Sequence, residues 1–155
     1  MQLYRLCKAE HAATAFSGEG AMRYPGRWHH AGTPIVYTAE SRSLAVLEQL
    51  VHLGRYRLPP NLVCFTVKVP DDLEVPAIPI RKLPDGWRRY PGPPELRDMG
   101  SGWVLAGTSA CLAVPSAVVP AERNVLINPR HPDFKRLKIG RPEPFALDAR
   151  LLATR

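Results

Sequence analysis

Residues 62–69 alternate in polarity, with Val63, Phe65, Val67 and Val69 on one side and Cys64, Thr66 and Lys68 on the other. A period of two predicts a half-buried strand. Residues 2–6 alternate in the same way and predict another. The compact apolar run Ile35-Val36-Tyr37-Thr38 reads as a buried strand. Further strands are predicted at 111–114, 124–128, 136–139 and 144–148. Residues 41–53 instead carry helical spacing, with Ser41 placed to cap the start and Gly54 to end it. Shorter helices are predicted around 10–16 and 101–110, the latter packed through Trp103 and Leu105.

Proline sharpens this picture. Seventeen of 155 residues are proline, about twice the usual share of ~5%. Proline is excluded from helix interiors and central strands, so long helices fit only in the proline-free windows 1–24, 35–58 and 95–114. A helix bundle is excluded. Residues 17–34, with Gly18, Gly20, Pro25, Gly26, Gly32 and Pro34, read as a loop. Residues 70–97 read as a long irregular excursion, a kind of loop that is often functional. Short strands around two or three helices give an α+β class. Neither repeats nor a composition shift divides the chain, so a single domain over 1–155 is expected.

Apolar residues make up 45% and charged residues 23%, the balance of a globular protein rather than a disordered one. There is no run of about 18 apolar residues and no charged-then-apolar N-terminal segment. A soluble, cytoplasmic protein without membrane contact is expected. Cys7, Cys64 and Cys111 are scattered and lack a CxxC pair, which excludes a disulfide framework or a zinc ribbon. The adjacent His29 and His30 have no accompanying ligand pattern, so no metal site is expected. The net charge of +7 favours anionic partners. Nucleic acid is one class, but no recognition helix or aromatic–basic interleaving supports a nucleic-acid-binding module.

Among individual residues, Glu48 is the most informative. On the helix over 41–53 it lies between Leu44 and Val51 on one side and Ala45 and His52 on the other. An acid on an apolar face needs a partner or a task; the alternatives are a boundary Glu turned to water or one paired with a core Arg. Arg27, in Tyr24-Pro25-Gly26-Arg27-Trp28, offers a fork for phosphate or carboxylate beside a glycine, or stacks exposed on Trp28. Ser116 lacks the GxSxG elbow of a hydrolase, leaving a hydrogen-bonding role or a strand-end turn. His131 reads as a turn residue, and Trp87 and Trp103 as core or pocket wall. No GxGxxG is present, so a Rossmann-type dinucleotide site is not indicated.

Several runs belong together. They are Gly26-Arg27-Trp28, Gly32 through Ser41, and Leu44 through Glu48 in the first half. In the second half they are Val114 through Pro120, Asn124 through Pro129, His131 through Phe134, and Pro144 through Arg150. In this order they resemble the RES domain family, and the resemblance spans nearly the whole chain. The family is named for an Arg, a Glu and a Ser, which correspond by position to Arg27 (or Arg5), Glu48 and Ser116.

The resemblance implies an ADP-ribosyltransferase-like fold with a mixed or split sheet. It also implies a toxin of a toxin–antitoxin pair, held by an Xre-type helix-turn-helix antitoxin, in a homodimer or a hetero-oligomer. It implies NAD as substrate rather than recycled cofactor, cleaved at the nicotinamide–ribose bond by water or by phosphate as co-substrate. Transfer of ADP-ribose to a protein is the alternative. The residue inventory suits this chemistry. Nicotinamide leaves NAD as a neutral molecule, so no general acid is required, unlike ordinary glycoside hydrolysis. One carboxylate, Glu48, is enough to stabilise positive charge growing on the ribose, best in an apolar setting. Arg27 and Arg5 are assigned to the pyrophosphate. Tyr37 is expected to stack on nicotinamide or donate a hydrogen bond, unless it is a core aromatic. Ser116 would orient Glu48 or a ribose hydroxyl. Trp28 and Asn128 would contribute to the binding wall.

Overall fold

The computed structural model describes residues 1–52 and 61–152. Its centre is one antiparallel sheet of seven strands: β1 (Gln2–Lys8), β2 (Val36–Ala39), β3 (Leu62–Lys68), β4 (Cys111–Pro115), β5 (Arg123–Ile127), β6 (Lys138–Ile139) and β7 (Glu143–Phe145). They run in the order β4-β5-β2-β1-β3-β6, and β7 also pairs with β3. The helices are α1 (Glu19–Arg23), α2 (Arg42–His52) and α3 (Pro94–Ala106), with short 3-10 turns between. The α+β class is observed.

Strands β3, β4 and β5 form because their side chains are buried on both sheet faces. Along β4 and β5, Cys111, Ala113, Val125 and Ile127 enter one core cluster, and Leu112, Val114 and Leu126 enter another with Trp28, Leu96 and Trp103. In β3 the expected half-burial gives way to burial on both sides. Val63 and Phe65 pack against Ala15, while Leu62 and Cys64 pack against Leu6, Leu44 and Ala45. Ser41 caps α2 as expected, its Oγ accepting the Leu44 N–H at 3.0 Å. The predicted stop at Gly54 lies outside the described residues.

Several expectations are corrected. Leu105, expected to pack its helix together with Trp103, is 90% exposed while Trp103 is buried. The strands expected at 136–139 and 144–148 are Lys138–Ile139 and Glu143–Phe145. The loop over 17–34 contains the single-turn helix α1. The helix expected at 10–16 is a 3-10 turn at Ala9–Thr14. The helix expected at 101–110 is α3, which begins at Pro94 and ends at Ala106, with Gly107 in the left-handed region at φ 57°. Proline is tolerated in the first helical turn because its missing N–H has no intrahelical partner there anyway.

Candidate active site

A cleft of about 910 Å³ opens where α2, the ends of β4 and β5, the segment before β2 and the excursion 87–97 converge. Glu48 of α2 lines it, half-buried. Ser116 follows the last residue of β4 and is fully buried. Its Oγ accepts the Val118 and Val119 N–H groups at 3.1 and 3.0 Å, so the hydroxyl hydrogen goes to Glu48 Oε1 at 2.7 Å. Asn124, in β5 and paired with Val114 of β4 and Ala39 of β2, donates Nδ2–H to the same oxygen at 2.6 Å. Oε1 is therefore pinned by two donors, and Oε2 has no hydrogen-bond partner among the described residues.

The setting of this carboxylate differs from the apolar one expected. Leu44 and Ala45 are buried, but Val51 is 59% exposed. One turn of the helix rests on the sheet and the next overhangs the cleft. Two polar donors, not a dry apolar face, hold Glu48 in place.

Among the described residues, four guanidiniums share the cleft with Glu48, the one acid that lines it. Arg27 donates from one nitrogen to the carbonyls of Trp87 at 2.7 Å and Arg89 at 3.0 Å. Arg97 of α3 donates Nε–H to the Gly26 carbonyl at 3.1 Å, and Arg88 donates Nε–H to the Ala117 carbonyl at 3.1 Å. Arg5 of β1 donates to the Tyr37 carbonyl at 2.9 Å. Its Nε is buried without a partner among the described residues. None of the four makes an ion pair among those residues. Burial lowers the pKa of Arg5 and of Arg27; the negative Glu48 partly offsets this at Arg27. Unpaired, partly desolvated guanidiniums fixed to backbone carbonyls form a preorganised receptor for an anion.

The structure brings together Arg5, Arg27, Tyr37, Glu48 and Ser116. It does not bring in Asn128. That residue is buried at the far end of β5, with its amide directed to the Val104 carbonyl and the Arg130 N–H. Trp28 reaches the cleft only as wall: its indole is 2% exposed and packs into the core. Tyr37 also lines the cleft, but its hydroxyl hydrogen is committed to His29, so the expected donation to a ligand is not available to it as placed. Burial raises its pKa well above the ordinary phenol value. His131 is the turn residue expected, its Nδ1 accepting the Asp133 N–H at 3.1 Å.

Sequence reasoning missed Asn124, Arg88, Tyr90 and Arg97. Asn124 carried a signal: an amide opening the apolar run Val125-Leu126-Ile127 is poorly suited to a strand and needs a partner when buried. The other three carried none, because only the tertiary path of the excursion brings them here. Among the described residues no three potential metal ligands cluster, and no helix is long and apolar enough to cross a membrane.

A family model described as "RES domain" matches residues 2–148. "Toxin Res" of Photorhabdus laumondii subsp. laumondii is 39% identical over 153 residues, 98% of this chain and 97% of that protein. The "Prs ADP-ribosylating toxin" of Sphingobium sp. is 40% identical over 142 residues, 90% of this chain and 88% of that protein. Among solved structures, the M. tuberculosis MbcT–MbcA toxin–antitoxin complex contains a chain that matches with a TM-score of 0.69 at 18% identity. The match covers 93% of this chain and 83% of that one, and shows a shared fold.

Proposed function

The chain belongs to the RES domain family, and from that premise we propose that it is the toxin of a toxin–antitoxin pair and consumes NAD by breaking the nicotinamide–ribose bond. The observation that carries this reading is the pairing of one pinned carboxylate with four guanidiniums, the second carboxylate oxygen unpartnered and the guanidiniums free of ion pairs among the described residues. A dinucleotide has the complementary charges: a pyrophosphate for the arginines, and a ribose carbon that turns cationic as nicotinamide departs.

In this mechanism Arg27 and Arg5 hold the pyrophosphate, with Arg88 and Arg97 beside them. The glycosidic carbon–nitrogen bond breaks, and nicotinamide leaves with the bonding electrons. Oε2 of Glu48 faces the cationic ribose; Ser116 and Asn124 keep the carboxylate from turning away. An oxygen of water then bonds to the ribose carbon and loses its proton to solvent, or an unprotonated oxygen of phosphate bonds there with no proton to lose. The Tyr37 ring flanks the nicotinamide by stacking. An antitoxin would silence the protein by covering the cleft mouth, where Tyr90 is strongly exposed.

Mixing the purified protein with NAD, with and without phosphate, tests the reading. Free nicotinamide is expected, together with ADP-ribose or its phosphorylated form; intact NAD overturns the proposal. Arg27→Ala is expected to raise the KM for NAD by about tenfold or more with a smaller change in kcat, as for loss of a charge-assisted contact made equally in ground and transition states. An unchanged KM would move the pyrophosphate contact to other arginines.

A second reading, transfer of ADP-ribose to a protein, is favoured by the name of the Sphingobium relative. It uses the same bond cleavage with a side chain as acceptor. Label from adenine-labelled NAD appearing on a macromolecule would support it.

A further inference from the structure

His29 has no part in the reaction just described, yet it is almost fully buried and touches Tyr37. Its Nδ1 stands 2.7 Å from the phenol oxygen, and its Nε2 3.0 Å from the Tyr24 carbonyl. A carbonyl only accepts, so Nε2 carries hydrogen. In the neutral ring Nδ1 is then bare, and the hydrogen between it and the phenol belongs to Tyr37. The phenol oxygen in turn accepts the Trp28 N–H at 3.1 Å. The bonds form a one-way chain from Trp28 N–H through Tyr37 O–H to His29 Nδ1, which His29 Nε2–H continues onto Tyr24.

This chain joins two parts of the cleft. Tyr37 belongs to β2, while Tyr24, Trp28 and His29 belong to the loop that carries Arg27. The packing leaves no slack: a Cβ on Gly26 would stand 2.5 Å from His29 Cε1 and 2.8 Å from the phenol oxygen. Charged and titratable groups approach His29 from every side. Arg97 of α3 and the neighbouring His30 disfavour a second positive charge, and the Tyr24 and Ala21 carbonyls favour one. A smaller cavity against His29 and Tyr37 is also lined by Arg5 of β1, Glu19 of α1 and His52 of α2. Burial outweighs the carbonyls and keeps the imidazole below its ordinary pKa of 6.5.

We propose that His29 is a positioning residue: by taking the Tyr37 hydroxyl hydrogen it locks the phenol ring to the Arg27 loop, and its protonation opens the lock. A hydrogen on Nδ1 would set two N–H groups against one phenol oxygen and force the hydroxyl hydrogen to turn away. The sign follows from linkage. The folded pKa lies below the unfolded one, so the full stability is present above 6.5 and is lost as pH falls from there through the folded value. The activity readout rests on the reaction proposed above; the spectroscopic one does not.

Two variants separate the roles. His29→Asn places a non-titrating acceptor oxygen where Nδ1 stood, and His29→Leu fills the space without accepting. In the wild type, kcat/KM for NAD is expected to fall on the acid side with a midpoint below 6.5. H29N is expected to retain activity within about threefold at neutral pH and to lack that acid limb, and H29L to lose about tenfold or more, with no further loss on adding Tyr37→Phe. The imidazole 15N spectrum, recorded without NAD, is expected to show a bare Nδ1 whose resonance moves in Y37F. An acid limb retained in H29N, wild-type kinetics in H29L, or hydrogen on Nδ1 overturns the proposal. If H29L does not fold, the H29N profile and the Y37F spectrum still decide it. A protein inert to NAD but with the expected spectrum would overturn the reaction and leave the His29–Tyr37 pairing supported.

Discussion

Glu48→Gln is expected to cut NAD consumption by about 10²–10³-fold or more, the scale on which loss of one preorganised electrostatic group slows a reaction. The substitution preserves size and isolates charge. In the native protein Ser116 and Asn124 both donate to Oε1. In the variant they require an acceptor at that place, which the amide oxygen supplies. The amide nitrogen must then take the position of Oε2, and two partial positive hydrogens face the ribose where a negative oxygen stood. The effect is a reversal of sign and not merely a loss of attraction, so it should fall on kcat. Pyrophosphate contacts are unaffected, and the KM for NAD should stay within a few-fold. The melting temperature should hardly move, because every donor around the side chain keeps its acceptor. A purified, folded E48Q with more than about a tenth of wild-type turnover would remove the carboxylate from the mechanism.

The sequence was informative wherever local physics decides the outcome. The alternation along residues 62–69 and the apolar runs at 111–114 and 124–128 located β3, β4 and β5, since a strand buried on one or both faces must be apolar there. The Ser41 cap and the place of Glu48 on α2 followed from helical spacing and N-cap chemistry. Features decided by tertiary contact stayed hidden. Proline at 93 and 94 masked the start of α3, and the glycines at 100 and 102 lowered its helical signal. The sequence reading names Asn128 and passes over Asn124, although both sit at ends of the same apolar run. Only the pairing of Asn124 with Val114, two residues before Ser116, decides which amide meets Glu48.

The net charge of +7 takes on a more specific meaning in the fold. Lys135, Arg136 and Lys138 lie on the surface near β6, and Arg136 is paired with Asp72 and Asp133. Arg5, Arg27, Arg88 and Arg97 are separated by up to 92 positions in sequence yet line one cleft without ion pairs among the described residues. Backbone carbonyls hold them there, not carboxylates. A carboxylate partner would compete with an incoming anion, whereas a carbonyl orients the guanidinium and leaves its charge uncompensated. That arrangement suits a discrete polyanionic ligand better than a broad nucleic-acid surface.

Gly100→Ala is expected to destabilise the protein and slow the reaction together, although the residue has no side chain to take part in the reaction. In the middle of α3 an alanine should by itself favour the helix by about 0.5–1 kcal/mol. Here a Cβ would overlap the Trp28 carbonyl oxygen and lie 2.9 Å from its carbon. Both atoms are backbone, so no rotamer relieves the clash. The Gly26–Trp28 segment or the helix must shift. Overpacking of this kind costs about 1–3 kcal/mol, which exceeds the helix gain and lowers the melting temperature by several degrees, at about 2–4 °C per kcal/mol for a chain of this size. The displaced carbonyl is one residue from Arg27 and in the residue whose N–H meets Tyr37. A shift of a fraction of an ångström therefore reaches the guanidinium and the phenol at once, and kcat/KM should drop by about tenfold or more. Gly102→Ala, two residues along the same helix, is the control: a Cβ there meets nothing within 4 Å. It should raise the melting temperature by a few degrees with activity unchanged. Equal behaviour of the two variants would show that the close approach of α3 to Trp28 does not set the position of the Arg27 loop.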